Sequence, residues 1–255
     1  MKKFLVKTLF LGFISVLSVS AYAQNQSSAN LQKIELSEVK ILEVNGKFKI
    51  NLIQGTKEEA ELDAPAEVLS KITMKQSGKK LTLSVKDKDS RAHDPFTVNI
   101  ILKDPEQISL QGLAQVEMQG IFACKKMNLQ LADKVSFQGE LRTSESINIK
   151  MSGHASLEAS LTAIKPSKIE LSDYATAELK GHVPSVSLTQ SGSSKLGSRA
   201  FSTNTVTAKM SNMTTAELTV NKSLSATTED SAVLHYGGVP KTKVSCSGVS
   251  KVVAL

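Results

Sequence analysis

The sequence predicts an all-β protein, a single-stranded right-handed parallel β-helix with coils of about 20 residues, preceded by a β-rich N-terminal part. Three observations predict it. Eight residues of only three types, Gly112, Asp133, Gly153, Asp173, Gly192, Asn212, Asp230 and Gly248, recur at intervals of 18 to 21 residues, the spacing of a solenoid repeat. Gly, Asp and Asn tolerate the left-handed backbone that a strand needs where it bends sharply. On both sides of each corner, apolar and polar residues alternate with a period of two. Thus Ile147, Ile149, Met151, Ala155, Leu157, Ala159 and Leu161 share one parity, and Asn148, Lys150, His154, Ser156, Glu158 and Ser160 the other. A strand with one buried face requires that period, whereas helical repeats place apolar residues three and four apart. The Leu-x-x-Leu-x-Leu pattern of leucine-rich repeats is missing. Right-handed is the expected hand for parallel crossovers.

In chain order, residues 1–23 read as a signal peptide: Lys2 and Lys3 precede a mostly apolar stretch, and Ala21-Tyr22-Ala23 offers a small-x-small cleavage site. Lys7 interrupts that stretch, which is too short for the ~20 apolar residues of a membrane span. Residues 24–38 open with the polar run Gln24 to Lys33 and are expected to be a flexible lead-in. Residues 39–107 form the N-terminal β-rich part. Strands are expected there at Val39–Val44, Phe48–Ile53, Ala60–Asp63, Ile72–Gln76, Leu81–Lys86 and Phe96–Leu102. Asn45-Gly46 and Ser77-Gly78 are turn signals, Pro65 to Lys71 suits one helical turn, and Asp87 to Pro95 reads as a surface loop. Residues 108–255 carry about seven to eight coils, with Pro166, Pro184 and Pro240 in connectors where a missing N–H does the sheet no harm.

Removal of the signal peptide and its three lysines lowers the net charge from +7 to +4. The chain has no basic run, and aromatics make up only 4% of it, so no nucleic-acid partner is expected. The mature chain is expected to be exported, to the periplasm or the cell surface, with no transmembrane segment after signal removal. With no Trp, its core must be built from Val, Ile, Leu, Met and Ala.

The corner residues are expected to face inward and to use their side chains on local backbone. Asp133 and Asp173 stand two strand spacings apart, about 9.6 Å. A hard cation needs oxygens at about 2.3 to 2.6 Å, so no metal is expected there. The outward stripe five residues past the corners, Glu117, Gln138, Glu158, Glu178, Gly197 and Glu217, and the parallel stripe Ser136, Ser156, Thr176, Lys195 and Thr215, supply candidate ligand contacts. The strongest of these are Glu117, Glu158, Glu178, Glu217, Ser156, Thr176 and Lys195. The ligand expected is a glycan or an envelope or host protein.

Glu158 and Glu178 on adjacent coils resemble the carboxylate pair, about 5 Å apart, of a retaining glycosidase. The short connectors leave no groove-forming loops, however, and no catalytic residue or cofactor is expected. Self-association through exposed edges or coil ends is a further alternative. His93, His154, His182 and His235 fall at unrelated repeat positions, without metal-ligand spacing. By parity Cys124 and Cys246 both face inward, in the first and last coils. They are expected to be buried and free, because roughly 30 Å separates them against a ~7 Å limit for bridging.

The run Val44-Asn45-Gly46-Lys47-Phe48-Lys49-Ile50-Asn51-Leu52-Ile53-Gln54-Gly55, then Ala64-Pro65 with Leu69 to Ile72 and Leu81-Thr82-Leu83, resembles the head GIN domain family of putative auto-transporter adhesins. Ile108-Ser109-Leu110-Gln111-Gly112-Leu113-Ala114-Gln115-Val116 and Met151-Ser152-Gly153-His154-Ala155 are similar to that family's repeats. The resemblance spans about Val39 to Leu255 and implies an exported β-helical protein of Gram-negative bacteria, without established catalytic residues. Asp and Asn at half of the corners depart from the family's glycines. The coil order yields a direct check: the intact mass of the mature protein should show two free thiols and no Cys124–Cys246 disulfide.

Overall fold

Alternation sends every second side chain inward, and stacking then aligns those side chains coil by coil. The computed structural model describes residues 29–65, 69–85 and 95–255. The expected signal peptide, most of the 87–95 loop and the middle of the expected turn at 65–71 lie outside the described residues. Among the described residues, twenty strands form one continuous sheet. The first seven are β1 (Ala29–Glu35), β2 (Ile41–Gly46), β3 (Phe48–Gln54), β4 (Glu59–Pro65), β5 (Ile72–Ser77), β6 (Lys80–Val85) and β7 (Phe96–Leu102). The next seven are β8 (Gln107–Gly112), β9 (Gln115–Cys124), β10 (Met127–Leu131), β11 (Ser136–Thr143), β12 (Ile147–Met151), β13 (Ser156–Ala163) and β14 (Ser167–Leu171). Last come β15 (Thr176–Gln190), β16 (Lys195–Met210), β17 (Thr215–Thr228), β18 (Val233–Gly237), β19 (Lys241–Cys246) and β20 (Lys251–Ala254).

From β8 onward every pairing is parallel and joins one coil to the next. Phe137, Leu157, Ala177, Leu196, Ala216 and Leu234 are consecutive partners along one inward column, and all are buried. Leu129, Ile149, Ile169, Leu188, Ala208 and Ala226 form a second. Each large apolar side chain buried this way contributes roughly 1.5–3 kcal/mol. The second column shrinks to Ala toward the C-terminus. There the interior also admits the buried polar groups Gln190, Ser194, Thr214 and Thr228.

The N-terminal strands are coils of the same solenoid, stacked out of sequence order. β2 lies between β6 and β8, and β3 between β7 and β9, all in parallel. The coil at 41–54 is therefore sandwiched between those at 80–102 and 107–124. Beyond it the pairing turns antiparallel: β5 runs against β6, and β4 against both β7 and β1. Part of the segment expected to be a flexible lead-in, 24–38, is thus strand β1. Its Lys33 bridges Glu59 and Glu61 on β4, and its Ile34 packs against the core. Buried Glu58 ties this cap to the coils by accepting the amides of Val39 (3.1 Å) and Lys103 (3.0 Å).

The corner residues correct one expectation. All eight have positive φ, between 58° and 86°, but none points into the core: Asp133, Asp173, Asn212, Asp230 and Gly248 are exposed and Gly112, Gly153 and Gly192 half-buried. The tight bend interrupts the pleat, so Met151 and Ala155 both face inward while the corner between them is turned out. Nor do the aspartates bond local backbone. Each carboxylate reaches back one coil: Oδ2 of Asp133, Asp173 and Asp230 accepts the corner amide of Gly112 (3.0 Å), Gly153 (2.9 Å) and Asn212 (3.0 Å). The amide after each corner donates to the corner carbonyl before it, as His154 does to Asp133 (2.6 Å) and Tyr174 to Gly153 (2.9 Å). Gly46, paired with Gly112, is a further corner that the sequence reading took only for a turn.

At the C-terminal end β19 pairs only with β17, and β20 only with β18, among the described residues. Val244 and Cys246 keep the inward parity of their partners Ala226 and Thr228, yet no further coil covers them, and both are exposed. The expectation that Cys246 is buried is therefore corrected. Cys124 is buried, with no disulfide partner among the described residues. Burial pushes its thiol up to about 12, with the nearby Asp104 and Glu106 carboxylates adding to the shift.

Two measurements follow. Asp173→Gly loses the bonds to Gly153 and Ser172 but relieves the left-handed backbone, so stability should change by less than about 1 kcal/mol in denaturant or thermal unfolding. Asp173→Val loses the bonds and strains the backbone, a cost of about 2–4 kcal/mol. With a thiol reagent at neutral pH, Cys246 should label in the folded protein and Cys124 only after unfolding.

Candidate ligand-binding face

Parallel in-register pairing places equivalent outward residues ~4.8 Å apart, so the two predicted stripes become straight columns. One runs through Lys49, Gln115, Ser136, Ser156, Thr176, Lys195 and Thr215. Beside it Asn51, Glu117, Gln138, Glu158, Glu178, Gly197, Glu217 and His235 form the other. All seven strongest candidates therefore lie on one face. Glu117, Ser156, Glu158, Glu178 and Lys195 are exposed, Thr176 and Glu217 half-buried.

The acidic column is not uniform. Glu158 and Glu178 are direct partners. Gly197, the next position, has no side chain, and a Cβ built there would run into the Glu178 carboxylate, which lies across it. The vacancy lets Glu178 fold away from Glu158, which eases like-charge repulsion. Further along, Arg199 neutralises Glu217. Among the described residues no group of three or more His, Cys, Asp or Glu is placed to hold a metal ion.

At the other end of the column the β9 strand bulges. Glu117 still faces Gln138 and Ile121 faces Glu140, so three residues, Met118 to Gly120, stand opposite Gly139 alone. A shallow groove opens there, lined by Glu117, Gln138, Glu140, Glu158, Lys180 and the exposed Ile121. Arg142 holds Glu140 through Nε (3.0 Å) and Nη2 (2.8 Å). Sequence reasoning missed this groove. Its signal was the 21-residue interval between Gly112 and Asp133, longer than any other.

It also missed the ridge beside the face, one residue past each corner. The His154 and Tyr174 rings stack there with centroids 4.8 Å apart and planes within 5°. Tyr174 is 60% exposed, and two coils on in the same column Met213 is 68% exposed.

A family model described as "Putative auto-transporter adhesin, head GIN domain" matches residues 40–240. No match was found among curated proteins. Among solved structures, a protein of Parabacteroides distasonis described as a putative lipid binding protein superposes with a TM-score of 0.78 at 14% identity, covering 89% of this chain and 96% of its own. A putative adhesin of the same organism gives a TM-score of 0.77 at 14% identity over 90% and 98%. A putative adhesin of Bacteroides fragilis gives 0.59 at 17% identity over 89% and 97%. At these identities the likeness establishes the fold.

Two glycines of neighbouring strands differ in what they tolerate. Gly197→Ala has only the movable end of Glu178 to displace and should change stability by less than about 0.5 kcal/mol. Gly181→Ala, at φ +101° and against the Leu161 carbonyl, should cost about 1–3 kcal/mol by thermal unfolding.

Proposed function

The chain belongs to the head GIN domain family of putative auto-transporter adhesins, and from that premise we propose that it is an exported, noncatalytic binding module of the cell envelope, periplasmic or at the surface. Its ligand is a glycan or an envelope or host protein that lies along the columns of Ser156, Thr176 and Lys195 and of Glu117, Glu158, Glu178 and Glu217. The observation that carries this reading is registry: side chains scattered over a hundred residues of sequence converge as two straight polar rows on one face. An extended ligand meets such a surface repeatedly, and concave or flat solenoid faces serve binding in this way. Export rests on residues 1–23 and the family together.

Mature protein offered envelope polysaccharides and host glycans or proteins at up to millimolar concentration should bind one of them and leave polysaccharide length unchanged. The charge-reversed double variant Glu158→Lys with Glu178→Lys should weaken that binding at least about tenfold. Lys150→Glu, on the face built by β10, β12 and β14, should not. Absence of binding by folded protein, or an equal loss from Lys150→Glu, would contradict the reading.

A second reading is self-association. Among the described residues β19 and β20 each pair with one strand only, beside exposed Val244, Val249, Val253 and Leu255. Light scattering should then show mass rising with concentration, and a strict monomer would exclude it.

A further inference from the structure

The ridge one residue past the corners carries the column Lys134, His154, Tyr174, Ser193, Met213 and Ser231. It is fixed by backbone bonds such as Ser193 N–H to the Asp173 carbonyl (2.6 Å) and Met213 N–H to the Gly192 carbonyl (2.9 Å). His154 covers one face of the Tyr174 ring. The next position on the other side is Ser193, too small to cover the second face, and the position after that is Met213. Tyr174 and Met213 thus stand as two walls, two coils or about 9.6 Å apart at the backbone, with Ser193 as the floor between them. Van der Waals contact needs about 3.5–4.0 Å on each side, so a single saturated six-membered ring fits between the walls.

The rim of this slot is polar. Asp173 takes no part in it, because its carboxylate reaches back to the Gly153 amide (2.9 Å), on the side of Tyr174 away from the slot. The side-chain amide of Asn212, next to Met213, and the hydroxyl of Ser193 make no hydrogen bond among the described residues. An exposed aromatic face with an amide and a hydroxyl around it matches a pyranose, whose C–H face is apolar and whose edge carries hydroxyls. An apolar side chain in the slot would satisfy none of those polar groups.

From this geometry we infer that the Tyr174–Ser193–Met213 slot is a saccharide subsite. Tyr174 supplies the stacking platform, His154 braces that ring, and Ser193 and Asn212 bond the sugar hydroxyls. The inference deepens the glycan form of the binding role proposed above. Because the slot borders the Ser156 and Thr176 column, a glycan chain anchored by one residue here extends directly onto the polar face.

The probes are cellohexaose, maltohexaose and chitohexaose, titrated calorimetrically into the mature protein. One of them should bind. Tyr174→Ala should weaken it about tenfold, whereas Tyr174→Phe, which keeps the platform, should stay within about threefold. Ser193→Leu, which fills the floor, should abolish binding, with thermal midpoints confirming that every variant is folded. Binding that Tyr174→Ala and Ser193→Leu leave unchanged would overturn the subsite while leaving the binding role intact. So would capture of a protein ligand by a chain that binds none of the three sugars. Binding of no sugar and no protein would overturn both.

Discussion

A left-handed corner residue in every coil is the constraint on which the rest of the structure depends. The bend it permits sets the coil length, and the coil length sets which residues meet their equivalents one strand spacing away. Non-glycine residues pay about 1–2 kcal/mol for that conformation. At Asp133, Asp173 and Asp230 the cost is offset because the carboxylate caps an amide of the preceding coil. The mixture of Gly with Asp and Asn is thus a ladder of inter-coil bonds: at Gly112 and Gly153 an aspartate on the following coil satisfies the glycine's amide.

Much of this was legible in the sequence, and for physical reasons. The left-handed region admits few residue types, so corners stand out. One-sided burial imposes a period of two, so inward and outward columns can be read directly. Parity, however, gives only direction. It could not show that Cys246 lacks a covering coil, nor that a corner residue leaves the pleat and turns outward. The stacking order of the N-terminal coils was equally hidden: Asn45-Gly46 reads locally as a turn, and nothing local says that β3 pairs with β9 as well as with β7. His154 and Tyr174 were overlooked because neither type recurs in its column; only registry brings the two rings together.

For the candidate site the same distinction holds. The polar columns were visible as spacing, but the Gly197 vacancy, the groove at the Gly120 bulge and the slot beside Tyr174 arise from departures from the repeat. A perfect solenoid would present a uniform face. Here each irregularity adds a local feature to a surface that is otherwise ruled in straight lines, and specificity for a ligand can be built from such features.

The central claim is that the columns of the outer face continue in register into the N-terminal coils, with β3 lying between β7 and β9. Pairwise cysteine cross-linking in a background with Cys124 and Cys246 replaced by Ser tests it most directly. Lys49→Cys with Gln115→Cys places two outward thiols on adjacent strands, with Cα atoms about 4.8 Å apart, and should oxidise readily to a disulfide. Thr97→Cys with Gln115→Cys places them two strands apart and should not. Cross-linking of the second pair and not the first would mean that the coils stack in sequence order, and the account would be wrong.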